Sequence, residues 1–459
     1  MLSTLLKINP LHFIVRFVVF ATIFVLSKTL VATDPSSDLP NIVMIFSDDQ
    51  GMHDLSCYGG EFETPNLDQL ADEGIRLTQF YAASSICTPS RYGLFTGRYA
   101  HRSKDQLTGA LMFLAEEDSN RGLRQSEVTY AARLKQFGYS TSLVGKWHLG
   151  HGNKEFWPTR HGFASFFGHT GGCIDFHTLR YGNRLDWYRD EVIETPSGYA
   201  TDVITGEAIE ELRRLNRGHR PFYLHLSYNA PHFGKAWDAS TEKPVNVMQP
   251  KAEDLARVNG AMSPLRQAFA AKVIGLDEGV GRVLSTLDEL NLTHNTIVIF
   301  MTDHGGDPVY GGSNLPYRGG KATLYEGGIR VPCIVRWPSR IEAARESNQV
   351  ACAVDWFATF MDLCGEEPNP DLDGHSLLPL LTSADGASSD PTRTLVWKTG
   401  AHKELMRKSW SAVRRGDWKW IRPPNQEAEL YNVKEDPCET NNLAGRHPDL
   451  MAELQAIGG

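Results

Sequence analysis

The apolar run "NIVMIFSDDQG" ends in two adjacent carboxylates, Asp48 and Asp49. Two like charges at the end of a buried strand cost several kcal/mol each unless they are compensated. A divalent cation is one compensation. An exposed pair capping a helix is the commoner use of such a dipeptide on its own. A second pair, Asp303-His304, closes another apolar run, "NTIVIFMTDHGG", and shifts the balance toward a metal. Carboxylate oxygens joined by an imidazole suit Ca²⁺, with Mg²⁺ as the alternative, better than a thiolate-rich zinc site does. Three cations fall near similar punctuation: Arg91, Lys146 in "GKWHLG" and Lys321 in "YRGGKATLYEGGIRVP". Singly each reads as a solvated surface charge. Together with a metal they make a pocket for a tetrahedral oxyanion. His148 and His232 supply proton transfer near neutral pH, whereas His225, in mid-strand, reads as a core histidine.

Cys87 stands in "SSICTPSRYGLFTGRY" without the spacing of a metal knuckle or a redox pair. A buried thiol is the ordinary reading. The alternative is an activated nucleophile: the segment after Pro89 reads as helical, which puts Cys87 at the positive end of a helix dipole. The chain has seven cysteines, and in an exported protein an odd count leaves one unpaired. If that one is Cys87, the other six are compatible with disulfides whose pairing is not readable.

The elements that must position these groups alternate. Short apolar strands ("NIVMIFS", "STSLVGKWHLG", "PFYLHLSYNAPH", "NTIVIFMT") are separated by helical stretches such as "VTYAARLKQFG" and "AFAAKVIGLDEGVGRVLSTLDELN". That alternation predicts an α/β sandwich with a large, mostly parallel central sheet flanked by helices. The continuous apolar strands imply burial on both faces. In such sheets, sites form beyond the carboxyl ends of the strands. Asp48, Asp49, Lys146, His148, His232, Asp303 and His304 all follow strand ends, so four strands point at one place. Residues 171–190 and 233–262 read as loop excursions that shape access, with Trp187, Tyr188, Arg189 and Trp237 suited to a sugar ring. From about Asp390, "TLVWKTG", "WSAVRRGDWKWIRP" and "AELYNV" predict an antiparallel sheet with a hairpin at Arg415-Gly416-Asp417. A last helix, "HPDLMAELQAI", completes a small α+β subdomain.

At 459 residues the chain suits one large and one small domain. The expected division is a signal peptide over 1–32, a catalytic domain over 38–389 and a C-terminal subdomain over 390–459. The apolar run Phe17–Leu26, flanked by Lys7 and Arg16, is short for a span and reads as a secretory signal cleaved near Ala32, with an uncleaved anchor as the alternative. No stable membrane span remains after cleavage, and the mature protein is expected to be secreted or periplasmic. A net charge of −9 argues against nucleic acid as a partner.

The stretch "CTPSRYGLFTGR" matches the type I sulfatase pattern Cys-x-Pro-Ser-Arg-x-x-x-(Leu or Phe)-Thr-Gly-Arg. With "PNIVMIFSDDQG", "GKWHLG", "APH", "TDHGG", "GGKATLYEGGIRVP" and "ELYNVKEDPCETNNLA", the chain resembles the arylsulfatase-like, formylglycine-dependent enzymes of the alkaline phosphatase superfamily. The resemblance implies a sulfuric ester hydrolase with that superfamily's fold. It implies that Cys87 is oxidised to Cα-formylglycine by the formylglycine-generating enzyme. It also implies metal ligation by Asp48, Asp49, Asp303, His304 and the modified Cys87, with His304 standing where many relatives carry Asn. Arg91 and Lys146 would hold the diol and the sulfate, His148 would accept a proton, and His232 and Lys321 would contact sulfate and the leaving oxygen. The expected substrate is a sulfated saccharide. Two rivals remain: a phosphodiester or phosphonate monoester hydrolase on the same scaffold, and an inactive protein that binds sulfated glycans.

Overall fold

The computed structural model describes residues 39–383, 390, 392–400 and 409–459. The expected leader, and residues 384–389 and 391 around the expected 389/390 boundary, lie outside the described residues. Among the described residues no helix is long and apolar enough to cross a membrane.

The first strand shows why the sheet is central. In β1 (Asn41–Asp48) successive side chains point to opposite faces. Ile42, Met44 and Phe46 enter one core cluster and Val43 and Ile45 the other, all fully buried. The other sheet strands are β2 (Ile75–Leu77), β3 (Ser140–Lys146), β4 (Ser165–His169), β5 (Tyr188–Arg189), β6 (Val192–Ile193), β7 (Phe222–Pro231), β8 (Thr296–Thr302), β9 (Cys333–Arg336) and β10 (Arg345–Ser347). They stand in the order β10-β2-β9-β8-β1-β7-β3-β4-β5-β6. The central five, β8, β1, β7, β3 and β4, are mutually parallel, as the alternation of elements predicts. Antiparallel β9 and β5 then begin the two flanks.

Helices cover both faces. On one lie α2 (Cys87–Thr96), α3 (Tyr130–Gln136) and α6 (Asp355–Leu363), through Phe95, Tyr130 and Phe360. On the other lie α1 (Pro65–Asp72), α4 (Ala200–Asn216) and the 26-residue α5 (Pro264–Glu289), through Leu70, Leu212 and Val280. The terminal strands β11 (Thr394–Lys398), β12 (Ser411–Arg415), β13 (Trp418–Arg422) and β14 (Glu429–Asn432) form a four-stranded antiparallel sheet in sequence order. The turn between β12 and β13 is at Gly416, with φ +57°, as the hairpin at 415–417 requires. One face, with Val413, Trp420 and Leu430, packs on Leu454 of α7 (Pro448–Gly458). The other face sends Trp397, Ala412 and Ile421 into the main core.

That second face also carries a buried charge. Lys419 is fully buried, with Nζ 2.8 Å from Glu326 and 2.9 Å from Glu439. Glu439 in turn accepts the Glu326 backbone N–H at 2.7 Å, and the Tyr81 hydroxyl donates to Glu326 at 2.6 Å. This cluster joins the terminal sheet to the segment containing Lys321. Removing one member of a buried ion cluster leaves the rest uncompensated, at about 3–5 kcal/mol. Lys419→Met is therefore expected to lower unfolding stability by about that amount in urea titrations. An unchanged midpoint would show that the two carboxylates do not depend on Lys419.

Candidate active site

The carboxyl ends of the parallel strands carry the expected groups. Asp48 is the last residue of β1 and Lys146 the last of β3. His232 follows β7, and Asp303 and His304 follow β8. Two of these residues take a left-handed backbone, Asp49 at φ +66° and His148 at φ +58°. That conformation costs roughly 1–2 kcal/mol for a non-glycine residue and persists where surrounding bonds hold it. The Asp49 N–H donates to Asp303 Oδ1 at 3.2 Å, and the His148 N–H donates to the Thr170 carbonyl at 3.2 Å. Just before Lys146, Gly145 has φ +109°, and a Cβ there would stand 1.9 Å from the Ser227 carbonyl oxygen. Only glycine lets β3 pass β7 at that point.

The helix read after Pro89 is α2, which begins already at Cys87, and all ten of its residues are buried. Its first five residues are fastened to the ends of β3 and β8 and to the body of β7. The Thr88 hydroxyl donates to the His148 carbonyl at 3.1 Å. The Ser90 hydroxyl donates to the Asp303 carbonyl. Arg91 donates to the Lys146 carbonyl at 3.1 Å and to the Ser227 hydroxyl at 2.8 Å. The "CTPSR" residues thus set the helix that presents Cys87.

Asp48, Asp49, Cys87 and His304 offer ligand atoms that all lie within 4.8 Å of one another, and all four residues are buried. His304 Nδ1 faces the Gly305 carbonyl at 2.9 Å, so the proton sits on Nδ1 and Nε2 is turned inward. Nε2 lies 3.2 Å from Cys87 Sγ, 3.3 Å from Asp49 and 3.7 Å from Asp303. Asp303 stands at the edge of this group, paired with Arg91 at 3.5 Å. Lys146 Nζ meets Asp48 at 2.6 Å and Lys321 Nζ meets Asp49 at 2.6 Å.

The electrostatics follow from burial and neighbours. Burial pushes the Asp49 carboxyl up to about 7, against the pull of Lys321 and His304. Burial works against the His304 imidazolium, but Asp303 and Cys87 carry it up to about 9. Burial also opposes a Cys87 thiolate, yet Lys146 and Lys321 hold that thiol well below the usual range. Hard carboxylate oxygens and an inward imidazole nitrogen, converging on one point, are a donor set that fits a divalent cation.

The two histidines are each oriented by a backbone carbonyl. His148 Nε2 faces the Leu111 carbonyl at 2.9 Å and therefore donates. Its Nδ1 is buried with no hydrogen-bond partner among the described residues and is free to accept a proton. His232 Nδ1 donates to the Phe233 carbonyl at 2.8 Å, which leaves Nε2 facing Asp49 at 3.5 Å. His225 is fully buried, and its Nδ1 pairs with the Tyr223 hydroxyl at 2.8 Å, as a core residue.

Sequence reasoning did not single out Ser227, which fixes Arg91, or Lys272, which donates to the His232 carbonyl at 2.6 Å. Nor did it find His169, which pairs with Asn229 at 2.6 Å beside Lys146. Each lies in an otherwise apolar or ordinary stretch, without a spacing signal. The excursions also differ from expectation. Trp187 is 1% exposed and packs on Phe167, and Tyr188 and Arg189 form β5, with Arg189 paired to Glu194 and Glu207. Tyr188 and Arg189 extend the sheet edge, and Trp187 is buried beside it. Within 233–262, Gly234–Asp238 and Lys243–Val247 form a hairpin, and Trp237 remains partly exposed. All seven cysteines are unpaired.

The model of the sulfatase family matches residues 40–366. The chain belongs to the sulfatase family. A second model, the C-terminal region of N-sulphoglucosamine sulphohydrolase, matches residues 320–456 of this sulfatase. The dog (Canis lupus familiaris) N-acetylgalactosamine-6-sulfatase is 34% identical, over 88% of this sulfatase and 76% of the relative. Mouse (Mus musculus) arylsulfatase J is 28% identical, over 90% and 74%. Among solved structures, that of Ps i-CgsB in complex with k-i-k-neocarrahexaose is similar at a TM-score of 0.80. It is 27% identical and is matched over 91% of this sulfatase and 92% of that chain. BT4656 in complex with D-glucosamine-2-N,6-O-disulfate shares the fold at a TM-score of 0.69, 24% identity and coverage of 91% and 96%. The alkaline phosphatase-like fold and the sulfatase activity follow from this kinship.

If the carboxylate and imidazole cluster takes a cation, binding must stabilise the folded state. Adding Ca²⁺ or Mg²⁺ to chelator-treated protein is expected to raise Tm, with about 2.7 kcal/mol gained at a hundredfold excess over Kd. Asp48→Asn is expected to lose most of that gain. A Tm indifferent to both ions in the wild-type protein would exclude the cluster as their site.

Proposed function

We propose that this sulfatase cleaves the sulfate ester of a carbohydrate, using formylglycine made from Cys87 as the nucleophile. The observation that carries this reading is the environment of Cys87. It lies at the start of a buried helix, against Asp48, Asp49 and His304, between Lys146 and Lys321. A thiol there would leave a stable adduct after attack. A hydrated aldehyde has a second hydroxyl through which the adduct collapses.

One hydroxyl of the diol gives its proton to a carboxylate of the Asp48, Asp49 and Asp303 group beside it and attacks sulfur in line, and the alcohol leaves. Lys146 and Lys321, each already paired with a carboxylate, face the charge of the transferring group, and removing one such contact typically costs about 10²–10³ in rate. A bound divalent ion, Ca²⁺ in our assignment, would be held by Asp48, Asp49, Asp303 and His304 and would supply Lewis-acid stabilisation of that charge. His232 Nε2 gives a proton to the leaving oxygen. Burial, with Lys321 and Lys146, pulls its pKa well below the usual range, and the negative charge of an arriving sulfate ester offsets those lysines. His148 Nδ1, left free by the bond from Nε2 to Leu111, takes the proton of the second hydroxyl. Sulfate is then expelled and the aldehyde returns. Arg91 is fully buried behind this group; its part is to orient Asp303 and Asp48.

A saccharide is favoured by the rings beside the site. Phe233 follows His232 and packs on Tyr310 with ring centroids 4.3 Å apart, and Lys321 Nζ lies 5.7 Å from the Phe233 ring. Partly exposed Trp237 lies on the adjoining hairpin. Such faces pack against the apolar side of a sugar. A saccharide ligand in the similar Ps i-CgsB structure supports the same class. The leader read over residues 1–32 implies export, to the periplasm or outside the cell, and maturation by the formylglycine-generating enzyme on the way.

Mass spectrometry of the tryptic peptide containing Cys87, from protein made in its native host, is expected to find the aldehyde; a free thiol would exclude this mechanism. Cys87→Ala is expected to lower sulfate ester turnover by about 10⁴-fold or more with little change in Tm. Retained turnover would mean that another group attacks sulfur.

A further inference from the structure

Lys272 lies in the third turn of α5 and is 1% exposed. Its Nζ donates to the His232 carbonyl at 2.6 Å and sits 3.3 Å from the centre of the Phe176 ring. Among the described residues no carboxylate lies within 4.0 Å of that nitrogen. Burial pushes its pKa well below the ordinary lysine range. A methionine would fill the same space without desolvating an ammonium, which costs several kcal/mol. Packing therefore does not account for a lysine here, whereas the bond it makes does.

The atom it holds governs the ring of His232. The imidazole is fixed through Nδ1 to the carbonyl of Phe233, the next residue, and its ring lies 4.0 Å from the Phe233 ring. The direction of Nε2 thus follows from the backbone at 232–233. The carbonyl of residue 232 is where α5 reaches that backbone. We propose that Lys272 is a positioning residue, holding the loop after β7 so that His232 Nε2 points at the leaving oxygen. The proposal rests on the reading of His232 as the group that protonates that oxygen.

A misplaced acid has a selective signature. Loss of proton donation slows esters of poor leaving groups and spares esters whose alkoxide leaves unaided. A general loss of structure slows both alike. The test is kcat/KM for 4-nitrophenyl sulfate and phenyl sulfate, measured with the matured wild-type enzyme, Lys272→Met and His232→Ala. In Lys272→Met the loss is expected to be greater on phenyl sulfate by about 10-fold, with up to about 10² as the ceiling for an acid displaced by 1 Å. His232→Ala is expected to show the same skew more strongly. An even loss in Lys272→Met beside a skewed loss in His232→Ala overturns the positioning role alone. An even loss in His232→Ala overturns the acid reading and the proposal with it. Should Lys272→Met fail to fold, Lys272→Gln, which keeps an N–H donor, is measured instead. A skew in the Gln variant intermediate between wild type and His232→Ala supports the proposal, and an even loss overturns it.

Discussion

The structure turns on a charge balance at the end of one strand. Asp48 and Asp49 are adjacent, buried and joined by Asp303. Three carboxylates cannot share a dry space unless cations share it too. Lys146, Lys321 and Arg91 arrive from three different parts of the chain to do so. Burial leaves Asp49 raised, while Lys146 and Lys321 hold the Cys87 thiol low, within one small cluster. The same charges that make the folded state tolerable make the site attractive to a cation and to a tetrahedral anion.

The parallel sheet is the device that makes this meeting possible. Parallel neighbours bring all their carboxyl ends to one edge, so β1, β3, β7 and β8 deliver their terminal residues together. The motif helix is then fixed by side chains of its first five residues to the ends of β3 and β8. Left-handed backbone at Asp49 and His148 falls where a strand must release a functional side chain. Elsewhere the fold satisfies ordinary packing rules, with alternate residues of β1 dividing between two cores.

Much of this was legible in the sequence because buried parallel strands are unbroken apolar runs. Any charge that ends such a run stands out, which is how Asp48, Lys146 and Asp303 were found and why the central sheet could be read. The small terminal sheet was readable for a related reason: its strands alternate and its hairpin turns at glycine. Lys272 was hidden because it occupies a core position of an otherwise apolar helical repeat, where spacing says only that a residue faces inward. Trp187 misled because β5 and β6 are two residues long, too short for periodicity to register, so a sheet edge looked like a loop. Pro244 concealed a hairpin strand because proline opposes central strands, and the strand it occupies has a neighbour on one side alone.

The tie between Lys419, Glu439 and Glu326 also sets an order of events during synthesis. The segment that carries Lys321 lies over the Cys87 region, with the Ala322 N–H on the Ser85 carbonyl at 2.8 Å. That segment is anchored by residues near the end of the chain. A ribosome adding 5–20 residues per second needs roughly 20 to 70 s to travel from Cys87 to Glu439. Through that interval the wall over Cys87 lacks its fastening. Once the last strands dock, the cysteine is 3% exposed and beyond the reach of another protein. The C-terminal sheet therefore acts as a late buttress: only when it docks is the wall over Cys87 fastened.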